Sequence, residues 1–123
     1  MRGGKLRAKV SHIRPSLRAI ATLWREEYSF RVQVASGIVV VFVGWMLGIS
    51  RAEWIAVVLV SGAVFATEAL NTALEELCDH VTPDQHPKIG KIKDLGSGAS
   101  LLMGITAIII GLIIFIPALA RML

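Results

Sequence analysis

The sequence contains a single cysteine, Cys78, among its 123 residues. An internal disulfide framework and a metal site built from several cysteines are therefore excluded. The three histidines are scattered along the chain, which argues against a zinc site. Neither of the common phosphate-cradling loops, G-x-x-x-x-G-K-[ST] and G-x-G-x-x-G, occurs in the sequence. If the chain uses a nucleotide, it must bind it at a site of another kind.

Polar residues are also scarce. Apolar residues make up 54% of the chain, and the mean hydropathy is +0.66. A soluble domain of this length would expose large apolar patches, so the composition favours a membrane protein with one domain over residues 1–123. The formal net charge is +4, but the basic residues flank apolar segments and form no stripe with aromatic residues. They fit an anionic membrane surface, and we expect no nucleic-acid partner.

Three apolar segments predict an all-α membrane protein with transmembrane helices over 32–49, 53–80 and 94–120. The first and third segments are long enough to span a bilayer alone, and the second spans if its helix continues through Glu68. Two prolines mark 81–93 as a loop. In the stretch 1–31, Pro15 is typical of the first position of a helix. After Pro15, an apolar face predicts an amphipathic helix lying in the membrane interface; its residues are Leu17, Ile20, Leu23 and Trp24.

The basic residues predict the orientation of these helices. Eight of them precede the first span, and three lie in the loop at 81–93. By the positive-inside rule, the N-terminus and this loop are cytoplasmic and the C-terminus is outside. Small residues recur at four-residue spacing in the spans, as at Gly96, Ser100 and Gly104. This spacing predicts close helix packing and favours self-association.

Acidic residues follow directly on the second apolar segment, in "TEALNTALEELCD". At 100° per residue, Glu75 and Asp79 lie within about 20° of Glu68 on one helix face, whereas Glu76 points about 80° away and fits a solvated charge. Trp54, an expected anchor at the outer interface, precedes Glu68 by about 21 Å of helix. Glu68 is therefore expected near the acyl–headgroup boundary on the cytoplasmic side, with Glu75 at the surface. An acidic residue at that depth is costly unless it is paired or protonated, which makes Glu68 a functional candidate.

The different depths expected for these carboxylates in the membrane predict a type of reaction. Carboxylates at the membrane surface suit Mg²⁺ that also binds substrate phosphates, and a deeper carboxylate suits a general base acting on a hydroxyl. Together they favour phosphoryl transfer from a soluble nucleotide to a lipid alcohol. Three alternatives remain open: a protonated or hydrogen-bonded Glu68 that only helps helices associate, a cation channel or transporter lined by Glu68, Glu75 and Asp79, and a purely structural membrane subunit.

Three sequence elements resemble the signature of the prokaryotic diacylglycerol kinase family: "EEYSFR", "EALNTALEELCD" and "HPKIGKIKDLGSGAS". The resemblance extends from about residue 16 to the C-terminus. It implies a homotrimer of three-span subunits, each with an N-terminal surface helix, and active sites shared between neighbouring subunits. It also implies phosphorylation of a lipid alcohol with Mg²⁺ and ATP at the cytoplasmic face of the bacterial inner membrane. Diacylglycerol is the expected acceptor, in line with "EEYSFRVQ". The loop "VTPDQHP" resembles the undecaprenol kinase branch, which makes undecaprenol the alternative acceptor.

The resemblance also assigns residues to roles. It implies Glu68 as the catalytic base with Asn71 as its polar neighbour. It implies Glu27 and Glu75 as metal ligands, with Glu26 as the alternative to Glu27. The residues implied to contact the nucleotide are Asp84, Gln85, His86, Lys93 and Asp94. The residues implied to line the lipid site are Trp24, Phe30, Arg31 and Ser97.

Overall fold

The computed structural model describes residues 2–82 and 86–123, and these residues form four helices and no strand. The helices are α1 (Arg2–Glu26), α2 (Tyr28–Leu47), α3 (Arg51–Val81) and α4 (Pro87–Met122). The prediction of an all-α protein is thereby confirmed. Helices α2, α3 and α4 are each long and apolar enough to cross a membrane, as predicted for the three spans.

All four helices begin earlier than the sequence predicted, α1 and α4 by the widest margins. Pro15 lies inside α1, so its assignment as the first residue of a helix is wrong. Proline removes one backbone hydrogen bond from a helix, and the carbonyl deprived of its partner here belongs to Ser11, an exposed residue. Helix α4 begins at Pro87, so residues 87–93, predicted as loop, are helical. Pro87 suits a first turn because its missing N–H would have no helix partner there, and the Nδ1 atom of His86 accepts a hydrogen bond from the Lys88 N–H at 3.2 Å.

The structure divides into two compact units, one ending at Val34 and the other covering Ala35–Leu123. In the first unit, Glu27 separates α1 from α2. The Nη1 atom of Arg31 donates to the carbonyl oxygens of Trp24 and Arg25 at 2.8 and 3.0 Å. The last carbonyls of a helix lack backbone partners, so Arg31 stabilises the C-terminal end of α1.

In the second unit, a three-residue turn joins α2 to α3. Gly48 adopts φ +63°, a left-handed conformation that favours glycine at a helix end. Ser50 then caps α3: its Oγ accepts from the Glu53 N–H at 3.2 Å, and the Glu53 Oε1 accepts from the Ser50 N–H at 3.0 Å. This reciprocal capping box fixes the start of α3.

Helices α3 and α4 pack against each other in an antiparallel arrangement. Near the α2–α3 turn, Val57 of α3 and Ile114 of α4 share one apolar cluster with Ile49 and Ala118. Towards the other end of α3, Gly96 of α4 lies against Asn71 and Leu74. We call this contact surface the α3–α4 seam. The predicted close approach of small residues holds for Gly96, but a Cβ atom added to Gly104 would meet nothing within 4 Å.

Candidate active site

The acidic residues on α3 become more exposed along the helix. Glu68 is buried, with 7% of its surface exposed. Glu75, about two turns later on the same face, is half-buried, and the Asp79 side chain is 66% exposed. Glu76 is exposed, in line with its prediction as a solvated charge. The helix therefore presents one protected carboxylate next to its apolar segment and accessible carboxylates near its C-terminal end.

Asn71 lies between Glu68 and Glu75 and faces α4. A Cβ atom on Gly96 would lie 2.5 Å from the Asn71 Oδ1 and 2.9 Å from the Leu74 Cδ2. Only glycine fits this approach without movement of its neighbours. The Asn71 Oδ1 is buried, and it has no hydrogen-bond partner within the described ranges 2–82 and 86–123. The seam thus contains an unpaired hydrogen-bond acceptor about one helical turn from Glu68.

Lys93 lies across the seam from the accessible end of this face. Its ammonium group forms an ion pair and a hydrogen bond with the Asp79 carboxylate. Lys93 precedes the predicted span at 94–120. The hydrogen bond that the Lys93 ammonium donates to the Asp79 carboxylate raises the pKa of Lys93. Desolvation opposes this rise, and the nearby negative charges of Asp79 and Glu75 add to it. The lysine is therefore held in its protonated form close to Glu75. The sequence placed Asp79 on the acidic face but did not reveal this partner.

Asp94 and Ser97 lie elsewhere on α4. Counted at 100° per residue, Asp94 is about 160° and Ser97 about 100° around the helix from Gly96, and both are exposed. Asp94 lines an open groove on the face of α4 turned away from α3, together with Pro87, Gly90, Lys91 and Gly98. Within one chain, the structure brings Asn71 and Lys93 to the seam, with Glu75 near Lys93. Glu68 lies one helical turn before Asn71 on α3, and Asp94 and Ser97 do not face the seam.

The remaining predicted site residues lie outside the seam. In the first unit, Phe30 is buried, Glu27 is half-buried and Trp24 is exposed. Arg31 has a contact that the sequence did not predict, because its guanidinium group binds the end of α1. His86 is exposed at the start of α4. The predicted nucleotide contacts Asp84 and Gln85 lie outside the described residues.

The donor set is compatible with Mg²⁺. No group of three His, Cys, Asp or Glu side chains is placed to hold a metal ion in the part of the chain that the structure describes. Mg²⁺ does not require such a group, since it usually binds one or two carboxylates, several waters and the substrate phosphates. The half-buried Glu75, near a lysine that can bind phosphate, fits such an ion.

The sequence of this chain is similar to those of known proteins. A family model described as prokaryotic diacylglycerol kinase matches residues 14–115. The chain is 36% identical to an undecaprenol kinase of Bacillus subtilis over 95 residues, which cover 77% of each chain. It is 32% identical to a diacylglycerol kinase of Pseudomonas aeruginosa over 87 residues, 71% of each chain. It is 27% identical to a diacylglycerol kinase of Escherichia coli over 94 residues, 76% of this chain and 77% of the relative.

Proposed function

This chain belongs to the prokaryotic diacylglycerol kinase family and is a lipid kinase, and we propose that it transfers the γ-phosphoryl group of ATP to the hydroxyl of diacylglycerol. The observation that carries the proposal is the arrangement on α3. A buried Glu68 and a half-buried Glu75 share one face, and Lys93 is held beside the more accessible of the two. This order matches a reaction between a lipid hydroxyl at the membrane boundary and a phosphate donor in water.

In this mechanism, Glu68 accepts the proton of the lipid hydroxyl as its oxygen attacks the γ-phosphorus. The bond from the γ-phosphorus to the oxygen bridging to the β-phosphate breaks, and ADP leaves with that oxygen. The Asn71 Oδ1 helps orient the hydroxyl. The Lys93 ammonium neutralises negative charge on the phosphoryl group. Glu75 would hold Mg²⁺, with Glu27 as the second predicted ligand, and the ion would supply neutralisation of negative charge on the phosphates.

We further propose that the active site opens to the cytoplasm at the bacterial inner membrane, with α1 lying on the membrane surface. The excess of lysine and arginine before α2 and between α3 and α4 supports this orientation.

We also propose a homotrimer with shared sites. Its support is the position of Asp94, which faces away from the acidic residues of α3 in its own chain. The Asp94 of a neighbouring subunit would complete the site. The family assignment leaves no support for the cation-channel alternative.

Undecaprenol is the second candidate acceptor. It is favoured by the 36% identity to an undecaprenol kinase and by the "VTPDQHP" loop, whereas "EEYSFRVQ" and the relatives named diacylglycerol kinase favour diacylglycerol. Purified protein in mixed micelles, given Mg-ATP and equal mole fractions of both lipids, decides between them through the ratio of the two values of kcat/KM. A ratio that favours undecaprenol contradicts the diacylglycerol assignment.

The role of Glu68 is tested with an isosteric amide. We expect Glu68→Gln to lower kcat at least about 100-fold because the general base is lost, while trimer formation and Mg-ATP binding remain. Glu76→Gln is the matched control, since Glu76 is an exposed residue on another face of the same helix. Full activity in Glu68→Gln would show that the base is another group.

A further inference from the structure

Ser100 is a half-buried residue with a buried hydroxyl oxygen, and the reaction described above gives it no role. Its Oγ is shut off from solvent and has no hydrogen-bond partner among the residues that the structure describes. Other hydroxyls in these helices are satisfied locally: Thr67 donates to the Ala63 carbonyl at 2.7 Å, and Thr106 donates to the Leu102 carbonyl at 2.8 Å. A bond to the carbonyl one turn back is the usual solution for a hydroxyl inside a helix. Ser100 does not use it.

The register of the seam places Ser100 at the level of Glu68. Gly96 lies against Asn71 and Leu74, and Ser100 follows Gly96 by about one turn and 40° around α4. Because α3 and α4 are antiparallel, one turn forward along α4 corresponds to one turn back along α3, from Asn71 to Glu68. Ser100 therefore lies on the α3-facing side of α4, at the depth of the proposed base.

Asn71 and Ser100 share an unusual property. In the Ala35–Leu123 unit, their Oδ1 and Oγ are the buried side-chain atoms without a hydrogen-bond partner among the described residues. Buried polar atoms are nearly always paired, and an unpaired one is costly. Two of them lie in one seam, one helical turn apart along the helix axes, and Asn71 follows the buried Glu68 by about one turn of α3. This arrangement indicates a place where a polar ligand completes the hydrogen bonds.

The chemistry of the two atoms differs. The Asn71 Oδ1 only accepts hydrogen bonds, whereas a serine hydroxyl can also donate one. A lipid hydroxyl can donate its proton to Glu68 or Asn71, and this leaves the Ser100 donor in need of an acceptor within the membrane. Diacylglycerol carries such an acceptor, an ester carbonyl next to its hydroxyl. A polyprenol has no polar group besides its hydroxyl.

We propose that Ser100 is a specificity-determining residue of this kinase, whose hydroxyl donates a hydrogen bond to an acyl ester carbonyl of diacylglycerol while the lipid hydroxyl lies at Glu68. The inference rests on the proposed phosphorylation of diacylglycerol and deepens it. Ser100 then selects ester lipids over polyprenols and determines the depth in the membrane at which the lipid substrate binds. Gly96 contributes by allowing the close helix approach that brings Ser100 and Asn71 to the same seam.

The test compares variants and lipids together. We expect Ser100→Ala to lower kcat/KM for diacylglycerol about 10-fold, the usual worth of one hydrogen bond. Its KM for ATP and its kcat/KM for undecaprenol stay unchanged. Replacement of diacylglycerol by its dialkyl ether analogue, which lacks the carbonyl, lowers kcat/KM of the wild type by a similar factor. The same replacement has no further effect on Ser100→Ala.

Two further variants separate the hydroxyl from the shape of the side chain. Threonine and valine side chains have the same shape, so a packing defect affects Ser100→Thr and Ser100→Val equally. The proposal requires that the threonine variant discriminates ester from ether lipid and that the valine variant does not. Thr106→Val is the control, because the Thr106 hydroxyl already bonds to a backbone carbonyl.

Each outcome of the lipid comparison is informative. If Ser100→Ala loses activity towards both lipids equally, or still discriminates ester from ether as the wild type does, Ser100 is not a specificity residue, and the proposed function stands. If the wild type phosphorylates undecaprenol and not diacylglycerol, both the acceptor assignment and the role of Ser100 fall.

Discussion

Lys93 and Asp79 lie 14 residues apart in sequence and meet across the seam. Both side chains are partly exposed, 37% for Lys93 and 66% for Asp79, so their ion pair contributes little to the free energy of unfolding. The ion pair instead positions the lysine, because it holds a protonated amine next to Glu75. Phosphate oxygens of a nucleotide can then compete with Asp79 for the ammonium group.

The pair gives a prediction about pH. Asp79 raises the pKa of Lys93, so Asp79→Asn removes the main cause of the rise and the amine loses its proton at lower pH. We expect the alkaline limb of kcat/KM for ATP to move to lower pH in Asp79→Asn, measured over about pH 7.5 to 10.5 because an unperturbed lysine titrates near the top of this range. Glu76→Gln, which removes a charge of the same sign from the same helix, should leave the limb in place. An unmoved limb in Asp79→Asn would contradict the nucleotide role of Lys93.

Gly96 gives a second prediction at this scale. Since a Cβ atom at residue 96 would lie 2.5 Å from the Asn71 Oδ1, Gly96→Ala must displace Asn71 or push α4 away from α3. We expect kcat to fall about 10- to 100-fold, because small misplacements of catalytic groups are costly. Gly104→Ala is the control, since nothing lies within 4 Å of a Cβ atom there. Equal activity of the two variants in the same phosphorylation assay would exclude a positioning role for Gly96.

These residues show what the sequence could predict. Glu68, Glu75 and Asp79 belong to one helix, so the angle per residue was enough to place them on one face. The partner of Asp79, the approach of Gly96 to Asn71 and the orientation of Asp94 depend on how two helices are rotated and shifted against each other. Local periodicity does not contain that register, and Ser100 stood out only as one of several small residues.

At the scale of the elements, the α2–α3 turn is the most sharply specified part of the second unit. Gly48 supplies the left-handed backbone. The Ser50 Oγ accepts from the Glu53 N–H in the first turn of α3, and the Glu53 side chain accepts from the Ser50 N–H. The same turn holds Ile49 in the apolar cluster with Val57. The direction in which α3 leaves the turn is thereby fixed, and with it the line along which its acidic residues follow the apolar segment.

We expect Gly48→Ala to destabilise the protein by about 1 to 2 kcal/mol, the cost of a left-handed conformation for a residue with a Cβ atom. Ser50→Ala should cost about 1 kcal/mol through loss of the cap. Gly62→Ala is the control, because Gly62 lies inside α3 with nothing within 4 Å of an added Cβ atom, and alanine favours helix there. Unfolding in a denaturing detergent measures all three. A Gly48→Ala variant no less stable than Gly62→Ala would show that the turn tolerates another conformation.

The same elements show where sequence reasoning on helix ends succeeds and where it does not. The three apolar helices were predicted because long apolar runs mark them in the sequence. Pro15 and the stretch at 87–93 were assigned less well. A proline marks a first turn or an interruption equally, and only the structure shows that α1 continues through Pro15 whereas α4 begins at Pro87.

At the scale of the whole molecule, a single chain leaves its membrane helices largely uncovered. Large apolar side chains on α2, α3 and α4, such as Phe42, Leu59 and Ile113, are 58%, 69% and 67% exposed. Acyl chains or neighbouring copies must cover them. A single chain also separates Asp94 from the acidic residues of α3, on opposite sides of α4. Both features are accounted for if subunits pack side by side and each site takes its parts from two chains.

Mixed trimers test this arrangement. Glu68→Gln removes the base on α3, and Asp94→Asn removes a group on the outer face of α4, so each variant alone is expected to be inactive. If a site combines α3 of one subunit with Asp94 of its neighbour, a random equal mixture contains intact sites at about one quarter of all positions, since both contributing chains must be of the right kind. Activity of the mixture, measured after subunit exchange in detergent, should therefore recover to about one quarter of the wild-type value.

A matched mixture controls for recovery by other routes. Glu68→Gln and Glu75→Gln both alter α3, so no combination of these chains restores an intact α3 face, and the mixture should stay inactive. If the Glu68→Gln and Asp94→Asn mixture also stays inactive while its subunits exchange, each chain builds its site alone. Asp94 would then have to reach the acidic residues through a rotation of α4, and that rotation would carry Lys93 away from Asp79. A site shared between subunits is therefore the arrangement that allows the active protein to keep the Lys93–Asp79 contact.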